Sequence, residues 1–522
     1  MVDSNTTQCT DPSDCAGIPG TVCGPEGVCV DPAAAGECST NQDCIDANDG
    51  LPSICRKPQF TCTQLVNSLC NGVIGHFEND DAIVYGFMNI YSGPPELLVG
   101  GENERGVELA VKEFDSAVVG IPGPGQRPRP LVFVTCDEAA DPEGAATFLA
   151  DEVGVPLIIG PASSANTVKI SQNVTKQREV LLLSPSATAA SLTDLDDAGL
   201  VWRVAQPNTD EAPAIAAVLL ELEAELEAQL AGAPLKVALL VRNDLYGESF
   251  SDSLRPQLTF NMVNDVVNQM NQNLLARTYD FTNGSDMSDA AAQVVEFEPH
   301  VVILLTANEG ITSLATDIEL GWPLAVTRPQ YILPSELLSP SLIGAVGSAP
   351  MEWALETRIR GVRPAAYEDR APYKAFLGDY ADEYEGTPGP FTHYAYDAVY
   401  LTAYATVSAG PGGTLPTEQL TGRDLITGLG MLVGGAQIDV GQSKISPALK
   451  ALDVLGGRID IEGASGALDF NTVSGEPTGP IFVWCVSVDT AGNPSFSTTP
   501  EFFDPREPEK GLQSGPFSCP PG

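Results

Sequence analysis

Short apolar runs alternate with amphipathic stretches over most of the chain. Leu157-Ile158-Ile159 and Val180-Leu181-Leu182-Leu183 have the length and composition of buried strands. Similar runs lie at Ile83 to Ile90, Leu131 to Thr135, Leu235 to Val241, Leu274 to Asp280, Val301 to Leu305 and Gln330 to Leu333. Between them apolar residues recur at helical spacing. Val107, Ala110, Val111 and Phe114 share one face, as do Ala145, Phe148, Leu149 and Val153. Glu211 to Leu230, rich in Ala, Leu and Glu, predicts a long helix. This rhythm predicts an α/β fold of parallel sheets with helices on both faces. It runs twice, with a break near Arg203 to Pro207, which predicts two lobes. Further on, Arg358 to Val362 and Pro480 to Val488 predict strands. Tyr373 to Tyr384, the aromatic run after Phe391, and Leu420 to Leu429 predict helices. From Asn493 the Pro-rich tail is expected to be irregular.

Two of the apolar runs stop at clusters of small hydroxyl residues. One ends in Gly160-Pro161-Ala162-Ser163-Ser164, the other in Ser184-Pro185-Ser186-Ala187-Thr188. Serine hydroxyls at a helix start accept hydrogen bonds from the unpaired amides of the first turn. If the two strands are parallel neighbours, both clusters share the carboxyl edge of one sheet, where open α/β sheets bind ligands.

Charge and cysteine usage narrow the setting. The formal net charge is −43, from 69 acidic and 26 basic residues. Such a surface repels nucleic acid and anionic lipid. No apolar run is long enough to span a bilayer. The first residues, MVDSNTTQC, lack the basic and apolar regions of a signal peptide. Nine cysteines crowd before Asn71: Cys9, Cys15, Cys23, Cys29, Cys38, Cys44, Cys55, Cys62 and Cys70. None falls in a C-x2-C pair, so a disulfide framework made outside the cytosol fits better than zinc. CTDPSDC is echoed by CSTNQDC, which suggests two four-cysteine units of open connectivity. In the tail, Cys519 is able to staple to Cys485. Enzyme signatures are missing. The three histidines are far apart without metal spacing, GESFS around Ser249 is no nucleophile elbow, and there is no phosphate-binding loop. Neither a cofactor nor a metal is expected.

A further set of motifs occurs in order: GENERGVELAVKEF, IIGPASSANT, LLSPSATAASLTD, VWRVAQPNTDEAPAIA, VALLVRNDLYGESF, PHVVILLTANEG, YILPSE, FTHYAYDAVYLTAYA and GASGALDFNTVSG. From about Ile83 to Val488 the chain thereby resembles the type I periplasmic binding proteins, in particular the branched-chain amino acid receptors of ABC transporters. The cysteine-rich head lies outside that resemblance. It implies two α/β lobes joined by a three-strand hinge around a ligand cleft. Carried over, residues 1–71 form the disulfide module, 72–206 with 363–470 form lobe 1, 207–362 with 471–500 form lobe 2, and 501–522 form the tail.

The resemblance also implies a ligand set. Ser163 and Ser164, with Ser186, Ala187 and Thr188, would meet a carboxylate. Glu336, or Ser335 if the register slips by one, would meet an ammonium, with help from Asn308 and more weakly Glu309. Tyr246 and Phe391 would wall the cleft, and Tyr91 and Ser92 are weaker candidates. Relatives pair a cysteine at the Cys136 position with one where this chain has Ser163, which leaves Cys70 as the expected partner of Cys136. The implied function is trapping of an amino acid or related small carboxylate by a monomeric, exported protein, periplasmic or on the cell surface and able to carry a lipid anchor. It would serve a permease or a receptor. The alternative is a surface adhesion or scaffold protein with a degenerate binding fold.

Overall fold

The computed structural model describes residues 15, 18, 22–23, 28–30, 38–57, 59–93, 99–123, 127–364, 370–409, 419–454, 456–515 and 517–520. Two separate sheets dominate it. The first holds β1 (Cys70–Ile74), β2 (Ile83–Asn89), β3 (Leu131–Asp137), β4 (Leu157–Ile159), β5 (Leu181–Ser184) and β6 (Val201–Arg203). Their order is β6-β5-β4-β2-β3-β1, parallel except for β1. The second holds β7 (Val237–Arg242), β8 (Leu274–Tyr279), β9 (Val301–Leu305), β10 (Gln330–Leu333), β11 (Ile359–Pro364), β12 (Ile481–Val488), β13 (Pro494–Phe503) and β14 (Leu512–Gln513). Their order is β8-β7-β9-β10-β11-β12-β13-β14, parallel as far as β11 and antiparallel beyond it. The continuous apolar runs become these strands because both faces of each sheet are covered.

Packing assigns the chain to two lobes. One core joins Ile83 and Phe87 on β2 and Ile159 on β4 to Tyr396, Tyr400, Leu425 and Phe470. Residues from Phe376 to Phe470 thus return to the first lobe. Helices α1 (Gly100–Val118) and α5 (Thr392–Ser408) pack there, and α5 is buried along nearly its whole length. Its Tyr396 and Tyr400 hydroxyls meet the buried carboxyl of Glu113. The second lobe has cores on both faces of its sheet, one including α3 (Asn208–Leu230) and the other Trp322, Tyr331 and Trp484. The chain passes between the sheets after β6, after β11 and before β12.

The tail departs from expectation. Pro494 to Phe503 is a regular strand, and Leu512–Gln513 adds another. A turn over Asp489 to Asn493 folds β13 back on β12, with Asp489 N–H donating to Asn493 O at 3.0 Å. Pro494 is the first residue of the strand and Pro500 falls in the irregularity of its pairing with β12, both places that tolerate proline. The Cys485–Cys519 disulfide ties the end of the chain back to β12.

Disulfides also organise the head. Cys38 pairs with Cys55 and Cys44 with Cys62, so the second unit bonds first to third and second to fourth. Cys15–Cys29 repeats the second-to-fourth bond in the first unit. Cys9 lies outside the described residues. Cys70–Cys136 links β1 to β3. The second unit is seated on lobe 1 by buried Asn41. Its Nδ2 donates to Phe77 O at 2.8 Å and to Asn79 O at 2.9 Å, and its Oδ1 accepts from Cys55 N–H. Arg56 reaches Glu152 O. The seam includes Ala82 and Pro156, just before β2 and β4. The head therefore sits at the amino ends of the lobe 1 strands.

Candidate functional site

Each sheet has the strand order in which the connection reverses beside its first central strand. In lobe 1 the reversal separates β2 from β4, and in lobe 2 it separates β7 from β9. Loops diverge at such a point and leave a crevice at the carboxyl edge. Two glycines shape the exits. Gly160 has φ +114, and a Cβ there would stand 2.2 Å from Met88 O. At Gly247 a Cβ would stand 2.3 Å from Arg242 O, so only glycine lets the first turn of α4 (Leu245–Leu254) lie this close to β7.

On the lobe 1 side, Ser163 caps the helix α2 (Ser164–Ile170) by accepting from Asn166 N–H. Glu138, fully buried at the end of β3, accepts from Ala162 N–H at 2.8 Å and Ser163 N–H at 2.9 Å. Burial pushes its carboxyl up to about 7 against these bonds. The protein's own carboxylate thus occupies two amides at this helix start. Ser164 accepts from Ala189 N–H at 3.2 Å, which leaves its hydroxyl hydrogen to donate. Ser186 donates to Ala162 O, and Ala187 N–H donates to Ser184 Oγ. Arg203 supports this segment from behind. Its guanidinium donates to Ala187 O and Ala189 O and is paired with Glu476 in the interior.

Thr188 is where the lobes meet. Its hydroxyl donates to Glu336 Oε1 at 2.8 Å across the cleft. Glu336 lies just past β10, where the chain turns into a short helix. Ser335 beside it donates to Glu211 Oε1 at 2.6 Å, and Ser335 N–H donates to Glu211 Oε2 at 3.1 Å. Both positions left open by the sequence register are therefore engaged, Glu336 toward lobe 1 and Ser335 toward α3. Burial lifts the carboxyls of Glu336 and Glu211, and for Glu211 the charge of Glu336 adds to it. Tyr246 places its buried hydroxyl beside both carboxyls without a well-formed hydrogen bond. Burial first and then those charges hold its phenol far above its usual range.

Other candidates stand apart. Glu309 is held inside lobe 2, accepting from Tyr279 at 2.8 Å and pairing with Arg242 at 3.4 Å. Asn308 lies next to it with its side-chain Oδ1 buried and unpaired. Tyr91 N–H donates to Asp137, and the contacts of Ser92 hold the Asp137 carboxyl down, so this loop is tied to β3. Phe391 adopts φ 63 at the start of α5. Its ring and Ser335 line a cavity of about 430 Å³ between the lobes, together with Arg363, Tyr373, His393 and Phe496. Burial pushes His393 down to about 3, so it is neutral at physiological pH. The volume suits a small-molecule site.

Sequence reasoning does not single out Glu138, Arg203 or Glu211. Arg203 leaves a trace, as a lone charge inside the apolar stretch VWRVA. Glu138 and Glu211 read as surface acids, the usual fate of glutamate in an acidic chain.

The family profile of periplasmic binding proteins matches residues 83–468. No curated protein sequence matches the chain. Solved structures with the same fold include the branched-chain amino acid transporter substrate binding protein LivJ from Streptococcus pneumoniae in complex with isoleucine. It is 16% identical, with a TM-score of 0.55, and the match covers 80% of this chain and 100% of that one. The leucine binding protein LivK from Thermotoga maritima is 14% identical, with a TM-score of 0.57 over 82% of this chain and 100% of that one. An ABC transporter solute binding protein from R. palustris in complex with 4-hydroxybenzoate is 13% identical, with a TM-score of 0.57 over 81% and 97%.

Proposed function

As the chain belongs to the periplasmic binding protein family, we propose that it is an exported, monomeric solute-binding protein that closes its lobes on an amino acid or related small carboxylate. It delivers this ligand to a membrane permease or reports it to a receptor. The observation that carries this reading is the hydrogen bond from Thr188 to Glu336. It joins a hydroxyl segment at one carboxyl edge to an acidic turn at the other, so a molecule held there touches both lobes. Closure then results from contacts that exist only when the lobes meet. Ser164, with an unspent hydroxyl hydrogen, faces the carboxylate end; Glu336 and Tyr246 face the ammonium end; Phe391 and the cavity beside it take the side chain. The isoleucine and 4-hydroxybenzoate complexes of proteins with this fold mark the size of ligand to try first. The disulfides agree with export.

A thermal-shift screen of amino acids, keto acids and aromatic carboxylates, followed by calorimetry, tests this. A ligand at a hundred times its Kd adds about 2.7 kcal/mol of stability. The double substitution Ser164→Ala with Thr188→Ala is expected to abolish binding and leave the unliganded melting temperature within a few degrees. Retained binding in that variant refutes the assignment of the cleft.

A further inference from the structure

Glu211 and Asn208 lie three residues apart in the first turn of α3, hence on one helix face. Asn208 is fully buried, yet neither its amide nitrogen nor its carbonyl oxygen has a partner. Its backbone N–H donates to Thr188 O at 2.8 Å, which anchors Asn208 to the residue that touches Glu336. A fully buried amide with both ends unpaired is costly unless something else fills it.

Hydrogen counting points the same way. The Ser335 hydroxyl has one hydrogen, and the 2.6 Å contact to Glu211 uses it. Its second contact, 3.3 Å to Glu336 Oε2, is then a hydrogen bond only if Glu336 supplies the proton. The groups acting on the two carboxyls are Asp210 from α3, Tyr246 from α4, Thr188 from lobe 1, and Ser335. None is cationic, and among the described residues neither carboxyl belongs to an ion pair. Two adjacent buried carboxyls without a cation hold a proton between them.

We propose that the first turn of α3 is a second wall of the ligand site, and that Asn208, Glu211, Tyr246 and Glu336 together select an organic cation, an ammonium or guanidinium group, over a bare carboxylate. This rests on the solute-binding reading and narrows it. Arrival of the cation ionises the second carboxyl, and the displaced proton goes to solvent. The ligand's N–H groups donate to the Glu336 carboxylate and to Asn208 Oδ1. Glu211, sealed behind Ser335, is a positioning residue: it sets the protonation of Glu336 and does not itself touch the ligand.

Isothermal calorimetry of the full chain with agmatine, L-arginine, L-leucine and benzoate, between pH 5 and 8 and in two buffers of different ionisation heat, tests this. The amine-bearing probes are expected to bind and benzoate to fail. Amine affinity should rise with pH, by up to about tenfold per unit where one proton is displaced. Glu211→Gln, which keeps the shape of the site, should flatten that profile and remove the buffer dependence. Asn208→Ala should weaken amine binding about tenfold. Benzoate binding without amine binding overturns the proposal while solute binding stands. So does amine binding that is indifferent to pH and to both substitutions. Silence from all probes, with no stabilisation in the wider screen, removes the solute-binding reading and this proposal with it.

Discussion

Arg203 and Glu476 lie 273 residues apart in sequence and form an ion pair in the interior. Removing one partner of such a pair strands a charge where water cannot reach it. Arg203→Met is expected to cost about 3–5 kcal/mol in urea unfolding. It should also weaken ligand binding, because Ala187 and Ala189 lose the donor that orders their carbonyls. The odd charge within VWRVA is legible in the sequence; its partner is not, since nothing local marks Glu476 among the other acids. The same limit applies in the cleft. The hydroxyl clusters can be read from turn and capping chemistry, whereas the pairing of Ser335 with Glu211 needs two segments 124 residues apart to come together.

At the scale of elements, apolar runs locate the central strands closely, because strands covered on both faces leave an unbroken signal. Strand β13 escapes that signal. It pairs antiparallel with β12, only its last two residues meet β14, its run SFSTT holds one aromatic among polar residues, and its prolines mimic a loop. Crosslinks do here what burial does in the centre. Cys70 and Cys136 close a separation of 66 residues and hold β1 in register on β3. Replacing both with serine is expected to cost about 4 kcal/mol by the chain-entropy argument, read as a lower denaturation midpoint. Asn41→Ala removes two contacts that seat the head and one inside it, and leaves the Phe77 and Asn79 carbonyls without their donor. Limited proteolysis should then cut between the head and lobe 1 well before either lobe opens, while wild type resists.

The whole molecule inverts the usual acid response. Burial raises the carboxyls of Glu138 and Glu113 to about 7, and those of Asp210 and Asp397 to about 6. An acid whose folded pKa exceeds its unfolded value binds its proton more tightly when folded. Its contribution is fully present below the unfolded pKa and is lost as pH rises through the folded one. Stability should therefore fall between about pH 4.5 and pH 7. The net charge of −43 acts in the same direction, since protonation relieves self-repulsion. Scanning calorimetry at pH 5 and pH 7.5 is expected to give the higher transition temperature at pH 5. Exposed carboxyls held down by local bonds, such as Asp151 beside Arg178, oppose this only weakly because solvent screens them.

Because Asn41 and Arg56 seat the cysteine-rich unit on the pole of lobe 1 away from the crevice, that unit is a fixed landmark on one jaw of the molecule. A fluorescent dye on it and a second on lobe 2 would form a ruler whose length changes with each capture and release. The same dye paired with one on lobe 1 would supply the stationary baseline.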